Sequence, residues 1–392
     1  MQHRSLLSDL SLSAVSAGFI AVLVGFASAM AIVFQAALAC GASQAMIVSW
    51  VWALGIGMGA GCIGLSWFYK RPIIIAWSTP GAALLATSLT VMNINQAIGV
   101  FIFVALLTLL TGLSGWFDKL TKCIPLPLAS AMLAGILLQF GLDFFGALQA
   151  SPLMVGIMLV TYILLRRLSP RFAILAVLLS GFICANTLHL IDYTVIRWEM
   201  AQPIWVSPEF EISHLIGIGL PLFIVTMTSQ NIPGVAVLKS SGYAQQPISP
   251  VISWSGLLNL VLAPFGGFSF NLAAITAAIC TSEGAHQDPN KRYVAGIAAG
   301  VFNIIAGIAG AAVVSLMAAF PAALISALAG LALLGTIGTS LLVASQQSHY
   351  REAAMITFLV TASGLSFFGI ASAFWGIVLG MLALLANNSK GS

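Results

Sequence analysis

The stretch from Pro264 to Thr281, PFGGFSFNLAAITAAICT, decides how the rest of the chain is interpreted. An apolar run, Ser253 to Leu262, stops before Pro264, and two glycines and an extended segment, Phe268 to Phe270, follow. Small residues from Leu272 to about Cys280 predict a second helix, with roughly half of the ~20 residues that a membrane span needs. The pattern therefore predicts a broken helix. Its second half begins with unsatisfied N–H groups and a partial positive charge, which suit an anionic group.

The composition places this break inside a membrane. Of 392 residues, 60% are hydrophobic and only 6% are charged, against about 25% charged in a soluble domain. We therefore interpret the chain as a multi-spanning membrane protein. Broken helices survive at membrane depth only where their freed backbone groups face protein or a cavity, and secondary transporters build substrate sites from them. The five cysteines lack CxxC spacing, so we expect no disulfide, metal or cofactor.

The spacing of charged residues predicts fourteen membrane-spanning segments. With a cytoplasmic N-terminus, every Lys and Arg except Arg197 falls on the cytoplasmic side, as the positive-inside rule requires. Both termini are then cytoplasmic. We divide the chain into a first repeat, residues 1–190 (spans one to seven), an external linker, residues 191–213, and a second repeat, residues 214–392 (spans eight to fourteen). Because seven is odd, the second repeat is inverted in the membrane relative to the first.

Short internal matches support the two inverted repeats. Three of them occur in the same order in both halves: Ala131–Leu138 resembles Ser326–Leu333, Pro80–Leu85 resembles Asn271–Thr276, and Gly99–Phe101 resembles Gly300–Phe302. Each match alone is weak, because small and aliphatic residues recur by chance in such a composition. Their common order favours an internal repeat.

The counterpart of the break in the first repeat is Trp77–Ala83, WSTPGAA, in span three. Pro80 is pre-organised for a helix start, and Gly81 lets a ligand approach the backbone. The β-branched residues Ile73–Ile75 favour an extended chain before it. Spans three and ten are each predicted to be a short strand followed by a half-helix. The alternative is an ordinary proline kink whose freed backbone groups are satisfied by neighbours.

Span eight carries adjacent amides followed by Pro-Gly, in Thr226–Gly234, TMTSQNIPG. Gln230 and Asn231 are costly within a membrane unless they face the interior of the bundle, where they can bind a carboxylate or a carbonyl. The alternative is that they join neighbouring helices. In span one, Ser28 and Gln35 are further polar candidates, and Gln35 precedes Gln230 by about one repeat.

The ionisable residues disfavour an enzyme. All five histidines lie in loops or at the ends of spans, and Asp143, near the outer end of span five, is the only acid that enters the bundle. The sequence offers no Ser-His-Asp or His-Glu arrangement for chemistry within the membrane. It also offers no basic stripe for nucleic acid.

Four motifs carry a resemblance to a known family: Trp77–Leu85, Ser229–Gly234, Ala273–Cys280 and Thr361–Leu365. Over nearly its whole length the chain resembles the bacterial benzoate:proton symporters, which are similar in architecture to the uracil transporter. The resemblance implies an all-α protein of the bacterial inner membrane, with spans 1–4 and 8–11 as a core and spans 5–7 and 12–14 as a gate. In the uracil carriers a glutamate of span eight contacts the substrate and takes part in proton coupling. Gln230 stands at that place here.

We therefore expect a secondary transporter that imports a benzoate-like acid by alternating access of core against gate, with a proton as the coupled ion. The two helix starts bind the carboxylate, the span-eight amides donate hydrogen bonds to it, and aromatic side chains flank the ring. The candidate substrate-binding residues are Ser28, Gln35, Trp77, Thr79, Pro80, Gly81, Gln230, Asn231, Phe268, Ser269, Phe270 and Asn271.

Coupling, substrate and assembly leave alternatives open. Either Asp143 carries the proton, or the proton travels on the substrate as the neutral acid; the place of Asp143 beside an outer loop favours the second route. A nucleobase is disfavoured because span eight lacks an acid. An inorganic anion is disfavoured because no Lys or Arg is visible within a span. The oligomeric state is open, with a homodimer as one alternative.

Overall fold

The computed structural model describes residues 9–88, 92–117, 125–368 and 370–388, so Arg4, Lys119, Lys122 and Lys390, used above for orientation, lie outside the described residues. This part of the chain is mostly helical. Its main elements are α1 (Leu12–Ala39), α2 (Gln44–Tyr69), β1 (Ile75–Trp77), α3 (Thr79–Ser88), α4 (Ile94–Leu113), α5 (Leu126–Ala150), α6 (Pro152–Leu168), α7 (Ala173–Thr187), α8 (Ile212–Ser240), α9 (Ile248–Leu262), β2 (Phe270–Leu272), α10 (Ile275–Thr281), α11 (Tyr293–Ile308), α12 (Gly310–Ala319), α13 (Ala322–Gln346), α14 (Arg351–Ala362) and α15 (Ser372–Asn388).

Eight helices in the described ranges are long and apolar enough to cross a membrane: α1, α2, α4, α5, α8, α9 with its 3₁₀ extension to Phe265, α11 with the turn from Pro289, and α13. The chain is thus a helical protein with several membrane spans. The other six of the fourteen predicted segments contain the shorter helices α3, α6, α7, α10, α14 and α15. The count of fourteen spans stays a prediction.

The helices pack in two groups. In one group α2 packs against α11, α4 against α9, and α1 against α3 and α11. In the other group α5 packs against α13 and α14, α14 packs against α15, and α6 and α7 pack against each other and against α13. Contacts of α1 with α7 and α13 join the groups. The assignment of these two groups to a core and a gate stays a prediction.

Glycine allows α2 and α11 to approach backbone to backbone. A methyl group added at Gly55 would lie 2.5 Å from the Cα of Gly307, and one added at Gly59 would lie 2.7 Å from the carbonyl oxygen of Gly300. Helices in membranes associate through such close packing, because lipid provides no hydrophobic driving force between them. This contact holds α2 and α11 closely against each other beside the centre of the protein.

The linker lies across the first helix group. Backbone hydrogen bonds join the N–H of Ala201 to the carbonyl oxygen of Ile308 at 2.9 Å, and the N–H of Val206 to that of Pro264 at 2.9 Å. A third joins the N–H of Glu209 to the carbonyl oxygen of Asn95 at 3.0 Å. The linker is therefore held to the ends of α11 and α4 and to the turn after α9.

The two short strands meet at the centre of the first group. They pair antiparallel, with Ile75 opposite Leu272, Ala76 opposite Asn271 and Trp77 opposite Phe270. The pairing sets where the next helix begins: α10 starts at Ile275 rather than at the expected Leu272, because residues 270–272 belong to the ladder. The helices that follow β1 and β2 have ten and seven residues. Each is shorter than the ~20 residues of a span.

Candidate functional site

Ser78 connects β1 to α3 and caps the helix. Its side-chain oxygen accepts a hydrogen bond from the N–H of Gly81 at 3.0 Å, and its own N–H donates to the carbonyl oxygen of Ser269 at 3.1 Å. Serine is a favoured N-cap for this reason. Pro80 has no N–H, and that of Gly81 is satisfied by the cap. Among the first three residues of α3, Thr79 therefore keeps its backbone donor for a ligand.

A cavity of about 230 Å³ lies at the starts of α3 and α10. Its apolar walls include Phe26 of α1, Met58 of α2, Trp77 of β1 and Leu333 of α13. The rings of Phe26 and Trp77 meet edge to face, with centroids 5.0 Å apart. Pockets for drug-sized ligands have about 300–1,000 Å³, so this cavity suits a smaller molecule, of the size of a single substituted ring.

No ionisable side chain is present among the described residues that line this cavity. Its polar groups are hydroxyls and amides: Ser28, Thr79, Ser229, Gln230, Thr276, Asn303 and Thr336. Neutral donors of this kind bind a carboxylate or a carbonyl and need no counter-charge when the cavity is empty. The cavity is thus built for a small, partly apolar molecule with polar groups at its edge.

Of the candidate residues, the structure brings Ser28, Trp77, Thr79, Pro80 and Gln230 together around the cavity. The hydroxyl of Ser28 already donates to the carbonyl oxygen of Gly25 at 3.1 Å. The Gln230 amide, by contrast, makes no hydrogen bond to any described residue and faces the cavity. Gln230 is consequently the best-placed free donor among the candidates.

A π-helical turn, Met227–Asn231, presents Gln230 to the cavity. The N–H of Ile232 reaches back to the carbonyl oxygen of Met227 instead of Thr228, and Pro233 has no N–H for the carbonyl of Ser229. Single π turns of this kind inside α-helices occur frequently at functional sites. The Pro-Gly pair that follows the amides in the sequence therefore changes the backbone hydrogen bonding of α8 without ending the helix.

The structure does not bring the other candidates to this cavity. Phe268 and Phe270 are fully buried behind it. The Phe268 ring lies 5.9 Å from that of Trp50 and 5.5 Å from that of Phe101, measured between centroids, and the Phe270 ring fills the space above Gly57. These aromatic side chains support the strand from behind, on the face away from the cavity.

Two asparagines hold β2 and the residue before it in place. The side-chain oxygen of Asn231 accepts a hydrogen bond from the N–H of Leu272 at 2.9 Å, which fixes β2 to α8. The amide nitrogen of Asn271 donates to the carbonyl oxygen of Ser269 at 2.8 Å. Both asparagines and Ser269 are buried outside the cavity lining, as is Gly81. Their placement makes them supports for the site rather than its lining.

Four polar residues of the cavity lining were not among the candidates: Ser229, Thr276, Asn303 and Thr336. Ser229 and Thr276 lie within the two motifs that were examined. Asn303 stands alone in the apolar helix α11, and a lone amide in such a helix is the same signal that identified Gln230. Thr336 could not be identified as a candidate from the sequence, because a hydroxyl in a membrane helix can form a hydrogen bond with the backbone of its own helix.

Gln35 and Asp143 line a second cavity, of about 420 Å³. It lies between α1 and α3 of the first helix group, α8, and α5, α14 and α15 of the second helix group. The carboxylate of Asp143 accepts a hydrogen bond from the side-chain nitrogen of Gln139 at 2.7 Å. Asp143 is the only ionisable residue of the described chain that lines either of these two cavities.

The described residues contain no group of three or more His, Cys, Asp or Glu side chains arranged to hold a metal ion.

The helical fold, its membrane-spanning helices and the central cavity define the class: this is a membrane transport protein. Residues 8–385 match the family model described as "Benzoate membrane transport protein". The chain belongs to this family, and with that it belongs among transport proteins and not among enzymes.

Two curated relatives are similar over almost the whole chain. "Inner membrane protein YdcO" of Escherichia coli is 46% identical over 95% of this chain and 97% of its own length. The "Benzoate membrane transport protein" of Acinetobacter baylyi is 42% identical over 97% of this chain and 96% of its own.

Solved structures share the fold at low sequence identity. The transmembrane domain of the cyanobacterial bicarbonate transporter BicA aligns with a TM-score of 0.56 and 17% identity, covering 96% of both chains. Murine solute carrier 26 family member A9, an anion transporter, aligns with a TM-score of 0.61 and 12% identity over 98% of this chain and 71% of that one. These likenesses establish the fold that the chain adopts.

Proposed function

We propose that the protein is a secondary active transporter that imports a small aromatic carboxylate, of which benzoate is the type, together with a proton. The observation that carries the proposal is the central cavity. It is small, it lacks ionisable residues among its described lining, and it places a free amide beside a capped helix start and an aromatic wall. The family, and the name of the Acinetobacter relative, support benzoate as the substrate.

The carboxylate binds between Gln230 and the start of α3. The Gln230 amide donates one hydrogen bond, and the backbone N–H and hydroxyl of Thr79 supply two more. The positive end of the α3 dipole adds a favourable interaction with the anion. The ring then lies against Trp77 and Phe26, whose edge-to-face contact forms an apolar wall.

Alternating access follows from the two helix groups. We propose that β1 with α3 and β2 with α10 are broken spans three and ten, and that fourteen spans form two inverted repeats. The mirrored packing of α2 on α11 and of α9 on α4 supports this arrangement. The cavity lies where the core meets α13 of the gate, so movement of one group against the other exposes it alternately. Both termini are cytoplasmic in this arrangement, and the membrane is the bacterial inner membrane.

Replacing Gln230 with alanine should weaken benzoate binding by about 1–3 kcal/mol, since a buried carboxylate oxygen loses its donor. Isothermal titration of the purified variant measures this loss. The matched control is Thr87→Ala, in the second cavity, which should leave binding unchanged. Wild-type affinity in Gln230→Ala would assign the carboxylate to another part of the cavity.

The function itself is tested with a panel of ligands and the wild-type protein in detergent. We expect benzoate to raise the midpoint of thermal unfolding, with a shift that grows with the logarithm of its concentration above Kd, while uracil and sulfate leave the midpoint unchanged. Stabilisation by uracil alone, or by sulfate alone, would reassign the protein to nucleobase or inorganic-anion transport.

A further inference from the structure

Asn303 of α11 is buried, lines the central cavity and has no hydrogen-bond partner among the described residues. Its side chain is 6% exposed, and the exposed part faces the cavity. None of its polar atoms is among the fully buried atoms without a partner, so the amide is open to the cavity and available to a ligand.

Comparison with two other buried asparagines separates a binding role from a structural one. Asn231 is also buried, but it accepts a hydrogen bond from Leu272 and thereby holds β2. Asn259 of α9 has no partner for either side-chain polar atom, and it does not reach the cavity lining. Among these three residues, only Asn303 combines an unpaired amide with access to the cavity.

Asn303 approaches the cavity from a different wall than Gln230. α11 packs against α1 and α2, whereas α8, which carries Gln230, packs against α3, β2 and α10. Ala299, one turn before Asn303 on α11, and Met58 of α2, the helix that packs against α11, are apolar residues of the lining. A ligand whose carboxylate is held at Gln230 and Thr79 therefore turns another part of its ring towards Asn303.

We propose that Asn303 binds a polar substituent on the ring, so that the preferred substrates are hydroxylated aromatic acids rather than unsubstituted benzoate. This inference rests on the proposed function and deepens it. An amide can donate to a phenolic oxygen and accept from its O–H. A site built to hydrogen-bond a hydroxyl discriminates against the analogue that lacks it, because the buried polar group is then left unpaired.

The test compares ligand affinities in the wild type and in Asn303→Leu, which keeps a similar volume and removes the amide. In the wild type, meta- or para-hydroxybenzoate should bind roughly tenfold more tightly than benzoate, the factor that about 1.4 kcal/mol gives. Asn303→Leu should lose that preference while it binds benzoate at least as tightly. Ortho-hydroxybenzoate, whose hydroxyl bonds its own carboxylate, should show no preference in either protein.

Asn259→Leu is the matched control, because it removes a buried, unpaired amide away from the cavity; it should retain the preference for the hydroxylated acids. Should Asn303→Leu fail to fold, Asn303→Ala, which adds no bulk, serves in its place with the same expected loss of preference.

Two results overturn the inference while the proposed function stands. Equal loss of benzoate and hydroxybenzoate binding in Asn303→Leu would place Asn303 in the carboxylate site. Equal affinities of the wild type for benzoate and for the hydroxybenzoates would show that the amide is merely hydrated. Failure of the wild type to bind any aromatic acid would overturn the proposed function and this inference together.

Discussion

Gly266→Ala is expected to destabilise the protein by about 2–5 kcal/mol, the sum of a backbone and a packing cost. Gly266 ends the 3₁₀ turn after α9 with a φ of +95°, a conformation that costs an alanine about 1–2 kcal/mol. An added methyl group would also overlap the ring of Trp50. That ring is 1% exposed and packs against Phe101 and Phe268, so it has no room to move.

Gly242→Ala separates the two costs. Gly242 has nearly the same φ, +93°, but no atom lies within 4 Å of an added methyl group. Thermal unfolding in detergent should therefore show a small loss for Gly242→Ala and a much larger one for Gly266→Ala. Shrinking the ring with Trp50→Leu should recover part of the loss in the double variant. Equal losses for the two glycine variants would mean that Trp50 does not confine Gly266.

Asp143→Asn is expected to abolish proton-driven accumulation of benzoate and to spare exchange of benzoate across the membrane. Benzoate is an anion at neutral pH, and its inward movement against an inside-negative potential costs about 2.3 kcal/mol per charge per 100 mV. The described lining of the central cavity holds no group that titrates. Asp143 carries a carboxyl group, and it lies in the second cavity, between the two helix groups that we propose to move.

The position of Asp143 between the two helix groups favours it as the proton carrier. Its place in the sequence, beside a predicted outer loop, favours it less. Asparagine keeps an oxygen that can accept the hydrogen bond from Gln139, so the variant loses the ionisation and little else. Liposomes with an imposed pH gradient measure accumulation, and counterflow measures exchange. Asp192→Asn, in the exposed linker, is the control. Accumulation that persists in Asp143→Asn would mean that the proton travels on the substrate.

The two short strands could be predicted from the sequence, because proline, paired glycines and β-branched residues constrain the backbone by themselves. Strand β1 begins at the last of the predicted isoleucines, Ile75, and β2 begins within the predicted extended stretch, at Phe270. The residues that line the cavity next to β1, Trp77, Thr79 and Pro80, were chosen as candidates for the same reason. Gln230 was predicted because an amide in an apolar helix is costly.

The direction of side chains could not be predicted, because it depends on which partner the short strand finds. Phe268 and Phe270 were expected to flank a ligand, but Phe268 packs against Trp50 and Phe101, and Phe270, in the ladder with β1, lies over Gly57. Asn231 was grouped with Gln230 by sequence adjacency. The π turn directs Asn231 into a hydrogen bond with β2 and Gln230 into the cavity.

β1 leaves the ribosome about 200 residues before β2, its partner in the antiparallel ladder, so this contact forms late during synthesis. Until then the backbone groups of Ile75–Trp77 have no ladder partner in a medium where each unsatisfied group costs several kcal/mol. The N-terminal half of the chain must wait in the membrane with an open strand edge, which invites wrong pairing. The central cavity is therefore complete only after α10, α11 and α13, which contribute to its lining, have been inserted.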